Sequence, residues 1–302
     1  MLKTKCLNAI SKGLLSGFLV VALATTLSLT SVSSSKAADT FVFTAIPDED
    51  ESRLRERFEK VATYLGKELG VSVKYIPVKS YAAAVTAFRN DQVQLAWFGG
   101  LSGVRARSLV AGSEAIAQGF EDPFFETYFI AHASTGLKPS SAFPKEISGK
   151  VFTFGSKGST SGRLMPEFHI RENLGMSPED AFEKVGFSGN HSKTIQLVQS
   201  GAYQVGAVNY KVWENEMKAG KIDLKKISII WKTPPYPDYQ WSIRGDVNDK
   251  YGADFKDRVR DVLINIKDED LLASFPRKSF IPATNADYQM ILDTAKKIKL
   301  ID

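Results

Sequence analysis

Three short β-rich runs, each followed by residues at helical spacing, restrict this chain to an α/β architecture. Phe41-Val42-Phe43-Thr44-Ala45-Ile46 is the first run. Leu54, Phe58, Val61, Leu65 and Leu69 then recur at the period of one helix face, and Gly70 ends the pattern. Asp48, with Glu51 three residues on, reads as a capping box for that helix, or as a carboxylate facing a cleft and accepting a proton from an anion. Val71 to Val78 alternates as a second strand, and Ser80 caps a helix through Tyr81, Val85 and Phe88. Val93 to Phe98 is a third strand, and Gly99-Gly100-Leu101-Ser102 opens a third helix. This repetition predicts a parallel sheet covered on both faces, with ligands beyond the carboxyl ends of the strands. Tyr81, Trp97 and Phe98 fall at such ends, where each aromatic reads as well as core.

Two more strands are expected over Ala115–Gln118 and Phe124–His132, and a second α/β run begins at Val151. Val151 to Phe154 reads as a buried strand, and Gly155-Ser156-Lys157-Gly158 as a turn. Ser159-Thr160-Ser161-Gly162 then stands where a helix should begin. One hydroxyl there is an ordinary N-cap. Three in a row, beside N–H groups with no partner inside the helix, also suit a small oxyanion. Pro166 should loosen the second turn of that helix. His191, at the next strand-to-helix junction, reads as a turn residue or as a donor to the anion. Val205 to Asn209 is a further strand ending in Asn209-Tyr210, and Ile227 to Trp231 another. Thr233-Pro234-Pro235-Tyr236-Pro237-Asp238-Tyr239-Gln240-Trp241, with three prolines in four residues, makes a stiff extended connector. Two late helical stretches bring no new sheet and are expected to pack back on the first lobe. The expected division is 38–133 plus 243–302 as a discontinuous first lobe and 134–242 as the second, with two hinge crossings.

The N-terminus reads as an export signal over 1–37. Lys3, Lys5 and Lys12 precede the mostly apolar stretch Leu14 to Leu29, and Ser35-Lys36-Ala37 fits a cleavage site. The formal charge of +5 includes four of those basic residues (the three above and Lys36), so the remainder is near +1. No Lys/Arg run suggests nucleic acid. The single cysteine, Cys6, precedes the apolar stretch, which leaves a mature chain without thiol or disulfide chemistry.

The chemical motifs are mostly exclusions. Gly158-Ser159-Thr160-Ser161-Gly162 fails the nucleophile-elbow pattern, because its central residue is Thr160. Gly155-Ser156-Lys157-Gly158 lacks the spacing of a P-loop. His132, His169 and His191 occur in no metal-ligand spacing, so neither metal nor cofactor is expected. An exported hydrolase using Ser159 or Ser161 with His191 stays open as the alternative reading.

The chain resembles the periplasmic substrate-binding component of phosphonate-type ABC importers. The resemblance rests on Tyr81-Ala82, Ala96-Trp97-Phe98-Gly99-Gly100-Leu101-Ser102, Ser159-Thr160-Ser161-Gly162 with Pro166, Ser188-Gly189-Asn190-His191, and Ile230-Trp231-Lys232-Thr233-Pro234. The opening Phe43 to Leu54 is similar to a branch often labelled selenate-binding. The resemblance implies a two-lobed periplasmic-binding-protein fold (type II-like), a small oxyanion as ligand, a membrane permease as partner and a monomer. It implies that Ser159, Thr160 and Ser161 hold the anion oxygens while Tyr81 and His191 donate from opposite sides. Phe98 stands where the family commonly has a tyrosine, which removes one donor. Trp97, Asn209 and Tyr210 complete the expected lining. No carboxylate near Asn209-Tyr210-Lys211 awaits an amine, which favours a compact anion.

Overall fold

The computed structural model describes residues 40–301. The expected export signal, its cleavage near Ala37 and Cys6 lie outside the described residues. Among the described residues no helix is long and apolar enough to cross a membrane.

In chain order the first elements are β1 (Phe41–Ala45), α1 (Glu51–Leu69), β2 (Val73–Tyr75), α2 (Tyr81–Arg89), β3 (Leu95–Phe98), α3 (Gly100–Ser108) and β4 (Glu114–Gly119). There follow β5 (Thr127–His132), β6 (Val151–Phe154), α4 (Met165–Leu174), α5 (Pro178–Ala181), β7 (Lys184–Phe187), α6 (His191–Gln199), β8 (Val205–Asn209), α7 (Tyr210–Lys218) and β9 (Ile227–Lys232). The chain ends with β10 (Gln240–Ile243), α8 (Val247–Tyr251), α9 (Phe255–Ile264), α10 (Glu269–Ser274), β11 (Phe280–Pro282) and α11 (Gln289–Lys297).

Among the described residues these strands form two sheets, in the orders β11-β4-β10-β3-β1-β2 and β7-β6-β8-β5-β9. Where βα units follow one another the pairing is parallel, as in β1 with β2 and β3, and β6 with β7 and β8. The parallel sheet expected from the sequence holds for those units, whereas β5 and β10 run antiparallel to both neighbours. The register shows why. Thr127, first in β5, pairs with Asn209, last in β8; Gln240, first in β10, pairs with Phe98, last in β3. Each enters its sheet at the edge where its neighbour ends, because the chain has just crossed from the other sheet with no helix to turn it round.

The crossings also correct the expected boundaries. β5 belongs to the second sheet and β10 to the first, so the chain changes sheets within 120–126 and 233–239 rather than near 133 and 242. The two crossings pair with each other. Phe125 and Tyr236 exchange backbone hydrogen bonds at 2.9 and 3.0 Å, and Asp238 N–H donates to Asp122 O at 3.1 Å. Behind them lies a buried ion pair, Arg277 Nη2 to Asp122 Oδ1 at 2.7 Å, with Arg277 Nε also donating to Asp122. The late helices pack on the first sheet's core with Phe41, Phe58 and Trp241. They bring one strand that sequence reading missed, since β11 pairs with β4.

Candidate functional site

Strand β6 delivers the hydroxyl-rich turn. Ser159 is the N-cap, and its Oγ accepts from Gly162 N–H at 2.9 Å. Residues Thr160–Leu164 are wound as a π-turn before α4 takes over. Leu164 N–H donates to Ser159 O at 3.0 Å, five residues back, and Met165 N–H to Thr160 O. Pro166 has no N–H to continue an ordinary ladder at this point, which accounts for the wide turn. A wide turn leaves backbone N–H groups splayed at the mouth of the helix, where its dipole is positive.

The three hydroxyls divide their work. Ser159 Oγ caps, as the ordinary reading requires. Thr160 Oγ1 accepts from Leu101 N–H at 3.0 Å, and Asp238 Oδ1 accepts from Gly100 N–H at 2.8 Å. The open end of α3 is thus satisfied by side chains from the second sheet's turn and from the second crossing. Ser161 Oγ, fully buried beside Asp238 and Tyr236, makes no hydrogen bond of good geometry.

Ser161 is not alone. Tyr81 OH (near Ser159 and Tyr239), His191 Nε2 and Asp238 Oδ2 are also buried without a hydrogen bond of good geometry. All four border the same turn. A Cβ placed on Gly162 would lie 3.0 Å from His191 Cε1, and one on Gly158 would lie 3.0 Å from Tyr81 Cβ. The Asp238 carboxyl is held by the Thr160 hydroxyl as well as by Gly100. A buried polar atom left unpaired costs about 1–3 kcal/mol, so four around one turn are expected to share a ligand.

The proton on His191 is fixed by its neighbours. Its Nδ1 lies 3.3 Å from Asn209 N–H and accepts from it. Full burial depresses its pKa to about 3. The ring is therefore neutral, with its proton on Nε2, the atom that has no protein partner. Such an imidazole is a donor and a poor base, which argues against the hydrolase alternative.

Two carboxyls flank these donors. Asp48 is buried, and its Oδ2 accepts from Tyr239 OH at 2.7 Å. Burial, with Glu49 beside it, raises its pKa to about 6. Burial likewise raises Asp238 to about 7, against the hydrogen bonds from Thr160 and Gly100. The capping-box expectation for Asp48 is corrected: Asp50 is the N-cap of α1, accepting from Ser52 and Arg53 N–H, which frees Asp48 for the interior. Asp48 O accepts from His191 N–H at 2.8 Å, so the two sheets' elements meet here directly.

The remaining expected residues separate. Trp97 stacks on Tyr239 with ring centroids 5.5 Å apart. Phe98, its neighbour, points to the other side of β3 and packs on Phe88, as the two-residue period of a strand dictates. Its expected place in the lining is therefore corrected to core. Tyr210 is corrected too: it begins α7 and packs on Phe125 and Tyr128. Both polar ends of Asn209 are engaged. Nδ2 donates to Tyr239 OH at 2.8 Å, and Oδ1 caps α7. Sequence reading missed Asp238 and placed Tyr239 only within the extended connector. The available signal was the proline run before them, which fixes their backbone. Among the described residues no group of His, Cys, Asp and Glu is placed to hold a metal ion.

A separate small pocket of about 20 Å³, room for roughly one water, is lined by Asp48, Trp97, Asn209 and Tyr239 with Arg57, Lys211 and Arg277. A groove of about 480 Å³, carrying Arg105 and Lys157, lies by Tyr81 and the Gly155–Gly158 turn.

Comparison with known proteins gives the setting for this geometry. A family model described as "ABC transporter, phosphonate, periplasmic substrate-binding protein" matches residues 43–288. The chain is 39% identical over 264 residues to the probable ABC transporter phosphite binding protein PhnD1 of Prochlorococcus marinus, covering 85% of this chain and 89% of that protein. It is 25% identical over 286 residues to the phosphate-import protein PhnD of Mycolicibacterium smegmatis, covering 83% of each. The solved structure of Prochlorococcus marinus PhnD1 in complex with methylphosphonate superposes with a TM-score of 0.82, covering 87% of this chain and 99% of that one.

Proposed function

The chain belongs to the periplasmic substrate-binding proteins of phosphonate-type ABC transporters, and from that premise we propose that it captures a compact phosphorus oxyanion of the phosphite or methylphosphonate kind. The observation that carries this reading is the set of four buried, unpaired atoms, Tyr81 OH, Ser161 Oγ, His191 Nε2 and Asp238 Oδ2, around one helix N-terminus. Three are donors. The fourth, a carboxyl, pairs with an anion only through a shared proton. A singly protonated oxyanion with three further oxygens or substituents satisfies that mixed set.

In this reading Ser159 and Thr160 act through geometry. The first shapes the turn, and the second joins it to α3 across the cleft. Tyr81 and Asp48 come from the first sheet's elements; Ser161 and His191 come from the second's. Residues 40–119 with 240–301 would form one lobe and 127–232 the other, closing over the anion by rotation about the paired crossings. The protein works as a monomer, exported with its signal removed near Ala37, and hands the anion to a membrane permease.

Ser161→Ala removes one donor and almost no packing. A hydrogen bond to a charged group is worth about 1.5–3 kcal/mol, so the affinity for methylphosphonate should fall roughly 10- to 150-fold. Calorimetry at unchanged melting temperature checks this. A dissociation constant within twofold of wild type would remove Ser161 from the site.

The shared proton gives a pH dependence. Asp238 and Asp48 have folded pKa values raised to about 7 and 6, so the folded protein holds more protons than the unfolded chain from about 4 to 7. Their contribution to stability is present at low pH and is lost as pH rises through those values. Binding follows the same direction, since above about 7 both carboxylates face the anion unprotonated. The dissociation constant should rise by up to about tenfold per pH unit once the shared proton is lost. His191, already neutral, takes no part in that range. A titration flat from pH 6 to 9 would contradict the shared proton.

A further inference from the structure

Away from the anion-facing atoms, one buried carboxylate holds partners from both halves of the molecule. Glu216 on α7 is only 4% exposed. Its Oε1 accepts from Arg53 Nη2 on α1 at 3.2 Å and from Ser192 Oγ on α6 at 3.0 Å. Lys221 Nζ stands 3.7 Å from Oε2. Arg53 also donates through Nη1 to Glu49 Oε2 at 2.9 Å. Ser192 directly follows His191, whose N–H donates to Asp48 O. Asp48 directly precedes Glu49. The contacts therefore close a ring, from Asp48-Glu49 through Arg53, Glu216 and Ser192-His191 back to Asp48. The ring passes between the two sheets' elements twice, and it holds the backbone N–H of His191, the residue whose imidazole faces the anion.

The environment decides what this ring can do. An exposed ion pair such as Lys297 with Glu172, 58% and 48% exposed, is screened and contributes little. Glu216 is desolvated and depends on its partners. Separating the halves would take Arg53 away from it and leave Lys221 as its remaining cation.

We infer that Glu216 is a positioning residue for anion binding: with Arg53 it latches the closed cleft, and through Ser192 it holds the first turn of α6 so that His191 Nε2 stays aimed at the anion. The inference rests on the anion-binding reading above. The latch acts only once the halves have met. Its loss should therefore appear in the escape of the ligand and not in its capture.

Stopped-flow tryptophan fluorescence with methylphosphonate, on the full chain, tests this. Arg53→Met and Glu216→Gln should each raise koff about tenfold or more and leave kon within about twofold. The double variant should be no worse than the worse single one, because both remove the same contact. An unchanged koff, a kon that falls in parallel, or additive effects would each overturn the latch. Arg53→Met keeps the test open should Glu216→Gln fail to fold, because its side chain is 28% exposed. Wild-type protein that takes neither methylphosphonate, phosphite nor phosphate would overturn the function proposed above. The latch is then read from small-angle scattering without ligand: a larger radius of gyration for Arg53→Met than for wild type supports it, and equal radii overturn it.

Discussion

His191→Ala is expected to weaken binding of methylphosphonate by roughly 30- to 1,000-fold. Two losses combine. The Nε2 donor to a charged ligand disappears, and Asn209 N–H loses its acceptor at the start of α7. Together these are worth about 2–4 kcal/mol. His191→Gln offers a side-chain amide donor and an acceptor at about the same reach, so it should recover part of the loss. The effect should also be independent of pH from 6 to 9, because the ring is neutral throughout. Calorimetry on both variants at two pH values checks each statement. Equal affinities for wild type and His191→Ala would place the anion elsewhere. A loss that shrinks on raising the pH would mean that the imidazolium, not the imidazole, is the donor.

The second large effect concerns stability. Asp122 and Arg277 form a doubly hydrogen-bonded pair, 0% and 4% exposed in their side chains, behind the crossings. Asp122 Oδ2 also accepts from Gly119 N–H at 2.8 Å, where β4 ends. Arg277 lies over the rings of Phe125 and Tyr239, so one guanidinium touches the first crossing and the second. Asp122→Ala leaves a buried cation without its anion, which costs about 3–5 kcal/mol. For a chain of this size the melting temperature should drop by about 10 °C. Arg277→Met with Asp122→Ala should recover most of it, since an apolar pair carries no unpaired charge. Thermal unfolding by circular dichroism decides. A single variant within about 2 °C of wild type would mean that water reaches this pair.

Much of the fold could be read from periodicity. The βα units, the helix cap at Ser80 and the glycine stop at Gly70 appear where local pattern places them. What could not be read was direction. β5 carries no local mark of its sense, and Gln240-Trp241 reads as part of the extended connector rather than as the start of β10; only the crossings before them set their direction. The boundaries were misplaced for the same reason, since a strand carries no local mark of the sheet it will join.

The site divides along similar lines. Tyr81, Trp97, Ser161 and His191 stand at junctions that the strand–helix pattern locates. Phe98 was placed by its position at a strand end, but the alternation of side chains sends Trp97 one way and Phe98 the other. Tyr210 failed likewise, because Asn209 turns inward and its neighbour turns out to Phe125. Asp238 was invisible because its importance comes from a contact with the other end of the chain, at Gly100. The acidic cluster after β1 was ambiguous for a subtler reason. Asp48 and Asp50 both suit an N-cap, and only packing tells the cap from the buried acid.

The central claim is that one compact oxyanion satisfies the buried atoms Tyr81 OH, Ser161 Oγ, His191 Nε2 and Asp238 Oδ2 together. Isothermal titration of wild type and of a Ser161→Ala, His191→Gln double variant with methylphosphonate, phosphite and phosphate tests it most directly. Wild type should bind at least one of the three anions one-to-one, and the double variant should lose about two orders of magnitude or more in affinity. Equal affinity for both proteins, or no heat from wild type with any of the three, would contradict it.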